Sequence, residues 1–153
     1  PVVGEALLSW GRYGGNAELS PVIRWIASPN VETRWRATWA LFRPRSAEAL
    51  PHLLKLVDDP SGEVRYWAVR GLVPSVVDAA KMDRAVVADR LRLIFNKDAD
   101  RRVKTEALRT LLQYDDEKAF GALVNALYSP DTWISVSAAE ESYQTSASRA
   151  RAA

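Results

Sequence analysis

Asp58-Asp59-Pro60-Ser61-Gly62-Glu63-Val64-Arg65-Tyr66-Trp67-Ala68-Val69-Arg70-Gly71-Leu72 is the stretch that the rest of the chain repeats. It opens on a helix-stopping turn and continues into a segment whose Val64, Ala68 and Leu72 fall four apart. That spacing stacks side chains on one face of a helix. The small middle slot recurs as Ala6, Ala37, Ala68, Ala107 and Ala138, at intervals of 31, 31, 39 and 31 residues. Four residues before it stand Val2, Thr33, Val64, Val103 and Ile134. Four residues after it come Trp10, Leu41, Leu72 and Leu111, and only Ser142 departs. Such matches at a near-fixed period mark a helical repeat protein.

The template divides the chain into a half repeat over residues 1–15 and full repeats at about 18–42, 47–72, 85–112 and 117–143. Val2, Ala6 and Trp10 take the core slots of the half repeat, and Gly11, Gly14 and Gly15 are expected to end its helix. Ser20 and Pro21 read as cap and first residue of the next helix. Ile23 and Ile26, with Leu54 and Val57 one repeat later, are its expected contacts. The extra eight residues of the long interval lie in 73–84, expected as an inter-repeat loop, with Pro74 ending or kinking the helix before it. Residues 144–153, QTSASRARAA, carry no large apolar side chain and are expected to be a flexible tail. No segment alternates with period two, so the expected class is all-α: a right-handed α-α superhelix, a solenoid of about four and a half helical hairpins. A half repeat at the start and no initiator Met imply a piece of a longer protein.

Composition narrows the function classes. Lys and Arg total 21 against 19 Asp and Glu. Residues 1–80 carry nine basic and eight acidic side chains, so neither half is polarised. Nucleic-acid binding through bulk charge is therefore not indicated. Zero cysteines exclude disulfides and thiolate metal sites and leave the compartment open. The longest uncharged run, Ala119 to Pro130, is too short to span a bilayer, so a soluble chain without a membrane partner is expected. There is no glycine-rich phosphate loop, no Ser–His or Cys–His pairing and no metal-ligand spacing, and His52 is the single histidine. No catalytic residue, metal or cofactor is expected.

Paired helices with an Asp-Pro turn followed by V-R-x-x-A-x-x-x-L resemble HEAT repeats, most closely the HEAT-like subtype of phycobilisome lyases. DDPSGEVRYWAVRGL fits closely, SPNVETRWRATWAL and KDADRRVKTEALRTL well, and SPDTWISVSAAEES loosely. The resemblance implies that second helices line a concave face. It also implies a structural ladder in which Arg34, Arg65 and Lys104 meet acidic turn residues of a neighbouring repeat, with Asp59 and Asp98 as the acids. Ser135 holds the basic position in the last repeat, where the ladder should end.

At about 100° per residue, Tyr66 and Arg70 point away from the buried face and Trp67 lies on its flank. Trp35 and Trp39 correspond to Tyr66 and Arg70, Arg36 corresponds to Trp67, and Arg109 corresponds to Arg70. Trp35, Arg36, Trp39, Tyr66, Trp67, Arg70 and Arg109 are thus the candidate binding residues, of types common among interface hot spots and suited to cation–π pairing. Packing of Trp35 or Trp39 between repeats is the competing expectation, and Trp10, Trp25 and Trp133 are assigned to inter-helix packing. The leading function is a non-catalytic scaffold that binds a protein or peptide partner. A second possibility follows from the resemblance: certain alkylpurine DNA glycosylases use HEAT-like arrays with Trp, Arg and a catalytic Asp on the concave face. Here no Asp accompanies Trp35, Trp39, Arg36 and Arg70, and Glu106 and Glu140 lie one to two repeats away. A third is chromophore handling, as in bilin lyases that share the repeat.

Overall fold

The computed structural model describes residues 2–13, 18–114 and 117–152. Among these residues every regular element is helical and there is no strand. The chain divides into two compact units, Pro1–Arg84 and Ala85–Ala153.

The first unit contains α1 (Val2–Tyr13), α2 (Ser20–Ile23), α3 (Val31–Phe42), a 3-10 turn (Ala47–Ala49), α4 (Leu50–Leu56), α5 (Gly62–Arg70) and α6 (Pro74–Ala79). The repeat slots explain its core. Ala37, Leu41, Val64, Ala68 and Leu72 are fully buried, α3 packs on α5, and the shorter α2 and α4 cover them from the first-helix side. The first helices bury Leu19 and Val22, then Leu50 and Leu53 at the same offset. These replace the expected Ile23, Ile26 and Leu54, which are half-buried, although Val57 is buried as expected. Each leucine so buried contributes about 1.5–3 kcal/mol. Ser20 does not cap α2: its hydroxyl donates to Glu18 Oε1 at 2.9 Å.

Three expectations for this unit are corrected. Ala6 is exposed and Val2 is 82% exposed, while Leu7 and Gly11 carry the buried face of α1. Gly11 does not stop the helix; it lies inside α1, where Trp39 of α3 leaves no room for a side chain. Gly14 and Gly15 fall outside the described residues. The 73–84 insertion is not simply a loop. Pro74 starts α6, its missing N–H suiting the first helical position, and Val76 and Val77 are buried.

The second unit contains α7, which begins at the boundary (Arg84–Lys97), α8 (Arg101–Leu111), a 3-10 turn (Leu112–Tyr114), α9 (Glu117–Leu127) and α10 (Thr132–Ala152). Val103, Ala107, Leu111 and Ala138 fill the template slots and are fully buried, and Leu91, Leu108 and Leu123 are buried as well. The backbone of α10 stays helical to Ala152, through most of the segment expected to be a tail. No Gly or Pro interrupts that segment, and its alanines and arginines favour helix.

One turn recurs in all four full repeats. Ser28 Oγ accepts from the N–H of Asn30 at 3.3 Å and Asp59 Oδ1 from that of Ser61 at 2.8 Å. Asp98 Oδ1 accepts from Asp100 at 2.8 Å and Ser129 Oγ from Asp131 at 3.2 Å. A side-chain oxygen bonding the backbone two residues on makes a compact Asx or Ser turn. In three of the four the residue it positions then caps the second helix: Asn30 accepts from Thr33, Asp100 from Arg102 and Asp131 from Trp133, whereas the Ser61 side chain does not cap α5.

Candidate functional site

The α3–α5 face of the first unit brings several of the candidate residues together. Trp67 on α5 stacks on Phe42 at the end of α3, with ring centroids 5.6 Å apart and planes 13° apart. Tyr66 meets Trp67 edge-on at 5.0 Å. The Arg70 guanidinium lies 5.5 Å from the Trp67 centroid and 6.0 Å from that of Phe42, and its Nη1 donates to the Tyr66 hydroxyl at 3.2 Å. Trp67 Nε1 donates to Glu63 at 2.9 Å, which satisfies the polar end of the indole. Arg70 is exposed, whereas Tyr66, Trp67 and Phe42 are half-buried. The cluster is therefore an amphipathic surface of rings overlaid by a cation, able to stack on flat or apolar groups and attract a carboxylate.

Phe42 was not singled out in the sequence, because the repeat template ends at Leu41. Gly71 is the signal that could have found it: a Cβ there would lie 2.8 Å from Phe42 Cβ and 2.6 Å from Leu53 Cδ1. A residue confined to glycine marks the close approach that seats the ring.

Trp35, Arg36 and Trp39 occupy the neighbouring turns of α3 and are all half-buried. The Arg36 guanidinium sits 4.5 Å from the Trp35 ring centroid and pairs with Glu32 at 2.6 Å. Its stem crosses α1 at Gly4, and its buried Nε meets no acceptor among the described residues. Trp39 and the Ala40 backbone press on Gly11, and Trp39 is overlaid by Arg43, whose Nε reaches the Gly11 carbonyl at 3.4 Å. Arg36 and Trp39 thus pack α3 on α1, while half-buried Trp35 carries the Arg36 guanidinium over its ring. In the second unit Arg109 is committed to two carboxylates, Glu141 at 2.6 Å and Glu106 at 3.4 Å. Glu106 is buried. Trp133 is 49% exposed beneath Arg101 and is not the packing residue expected, whereas Trp10 and Trp25 are half-buried.

Arg34 grips Asp59 with two bonds, Nε to Oδ2 at 2.7 Å and Nη2 to Oδ1 at 3.0 Å, while Nη1 donates to the Ser28 carbonyl at 2.7 Å. The side-chain hydrogen bond to Asp59 holds the guanidinium above its usual pKa, so it stays charged. Arg65 donates to the carbonyls of Asp59 and Pro60 at 2.9 and 3.1 Å. Lys104 reaches the Asn96 carbonyl at 3.4 Å, and Asp98 serves the turn at Asp100.

A family model described as HEAT repeats matches residues 3–73 and 19–111. The chain belongs to the HEAT-repeat family. Its helical hairpins, with the Ala and Leu slots buried in each full repeat up to Leu111, are HEAT repeats in structure as well as in sequence. No curated protein matches the chain in the same kind of comparison. Among the described residues no group of His, Cys, Asp or Glu is placed to hold a metal ion, and no helix is long and apolar enough to cross a membrane.

Proposed function

We propose that this HEAT-repeat chain is a non-catalytic interaction module that binds a protein or peptide through the second-helix face of its first unit. HEAT repeats are commonly interaction scaffolds and generally not catalysts. The observation that carries the reading is the Phe42–Trp67–Tyr66–Arg70 cluster, with Trp35 on the equivalent turn of α3. A cation over half-exposed rings has the composition of an interface hot spot. The nearby carboxylates have structural employment, Glu32 with Arg36 and Glu63 with Trp67, which favours binding over acid–base chemistry. On the motifs quoted above we place the repeats in the phycobilisome-lyase HEAT-like subtype, without carrying its chromophore chemistry over.

The test is selection of peptides from a displayed library on the whole chain, followed by NMR mapping of the selected peptide. Shifts centred on Tyr66, Trp67 and Arg70, with at least tenfold weaker binding by Arg70→Ala, are expected. Peptides that map elsewhere refute the site. Duplex DNA that shifts the same signals with a steep salt dependence would replace the reading by a nucleic-acid one. Uptake of a bilin with visible absorbance would replace it by chromophore handling.

A further inference from the structure

The turn shared by the four repeats exposes a difference in charge. In the first unit Asp59 uses one carboxylate to close its own turn and to clamp Arg34. In the second unit the position equivalent to Asp59 in the next repeat's turn is Ser129, and the base equivalent to Arg34 is Lys104. Ser129 closes its turn with its one oxygen and has no charge to offer Lys104. Among the described residues Lys104 finds the Asn96 carbonyl, at a long 3.4 Å, and no carboxylate. The space between them is open: a cavity of about 270 Å³ is lined by Lys104, Ser129, Asn96 and Asn125, with Phe95 and Ile134 among its apolar walls.

We propose that this cavity is a carboxylate-binding site, taking an aspartate or glutamate side chain of a partner into the rung that Asp59 fills by itself in the first unit. The ammonium of Lys104, a residue half-buried as a whole, supplies the charge, and a point cation with rotatable donors suits a single carboxylate. Asn125 and the Ser129 hydroxyl supply neutral polar contacts. The apolar walls suit the methylenes of the acidic side chain. Arg34 and Asp59, 14% and 8% exposed, show that such a pair can be almost enclosed between repeats of this chain. The site lies wholly in the second unit and does not depend on the aromatic cluster of the first.

The test uses the whole chain, isotopically labelled, titrated with sodium acetate and with N-acetyl-aspartate N-methylamide against sodium chloride at matched ionic strength. Saturable amide shifts at Asn96, Lys104, Asn125 and Ser129 are expected, stronger with the aspartate derivative, which also fills the walls. Lys104→Met keeps the aliphatic stem and should lose at least tenfold in affinity. Ser129→Asp should supply the carboxylate internally, abolish the titration and raise Tm by several degrees over Ser129→Asn, its neutral counterpart. No saturable shift in the parent chain, binding that survives Lys104→Met, or equal Tm for the two Ser129 variants would each overturn the proposal. Inorganic phosphate binding more tightly than both carboxylates would also overturn it. Circular dichroism of each variant separates lost binding from lost fold, and the two Ser129 variants read the rung even where Lys104→Met unfolds.

Discussion

Replacing Asp59 with alanine removes three acceptor contacts at once, two to Arg34 and one to the Ser61 N–H. Arg34 is left 14% exposed with the Ser28 carbonyl as its remaining acceptor. Bonds to charged groups are worth about 1.5–3 kcal/mol each, and breaking a buried pair costs about 3–5 kcal/mol because the surviving charge stays desolvated. Two bonds that share one desolvation cost place Asp59→Ala at about 3 kcal/mol. With a urea slope of about 2 kcal/mol/M, the midpoint should fall by about 1.5 M. Arg34→Met retains the aliphatic packing, so the double variant should be less destabilised than the sum of the singles, by about 2 kcal/mol. Urea titration followed by tryptophan fluorescence and circular dichroism measures all four corners of this cycle. A coupling below about 0.5 kcal/mol would put the pair among ordinary surface bridges and refute the argument that enclosure between repeats gives it weight.

Gly11→Ala should destabilise by about 1–3 kcal/mol, because its Cβ would fall 2.4 Å from the Trp39 ring and 3.0 Å from the Ala40 backbone; thermal unfolding reads it directly. Gly121→Ala should go the other way by about 0.5–1 kcal/mol, since nothing lies within 4 Å and the site is inside α9. Asp100 is held below the usual carboxylate pKa, chiefly by its side-chain bond to Arg102, with backbone bonds from Arg102 and Val103 adding to it. Its contribution should be complete above its unfolded pKa of about 3.9 and vanish as pH falls through the lower folded value. Asp100→Asn, which keeps the cap, should flatten that acid limb in a pH series of urea midpoints.

The second helices were legible because their slots recur: α3, α5 and α8 lie where Ala37, Ala68 and Ala107 placed them, and all three alanines are fully buried. The same template misplaced α1. Periodicity identifies which residues are equivalent, but burial depends on which neighbour is present, and α1 packs on α3 through Leu7 and Gly11. The first helices were shifted for a related reason. Alternative apolar residues one step apart, Val22 and Ile23 or Leu53 and Leu54, satisfy a helical pattern equally well, and only packing chooses between them. At the candidate site, exposure angles group Tyr66, Trp67 and Arg70 on α5, and their side chains meet there. They do not foresee Phe42, which arrives from α3, or Arg36, which α1 draws into packing, whereas the packing of Trp39 is the competing expectation stated from the sequence.

Because the turn inside each full repeat is closed by a side-chain oxygen at the same position, serine and aspartate are interchangeable there in shape while differing by a full charge. Shape and electrostatics are thereby decoupled at every junction. A sequence can acquire or shed an anionic contact at one turn without remodelling the backbone around it, and the loss of one leaves behind a socket rather than a defect. An array built this way can diversify what it recognises one junction at a time while its architecture stays constant.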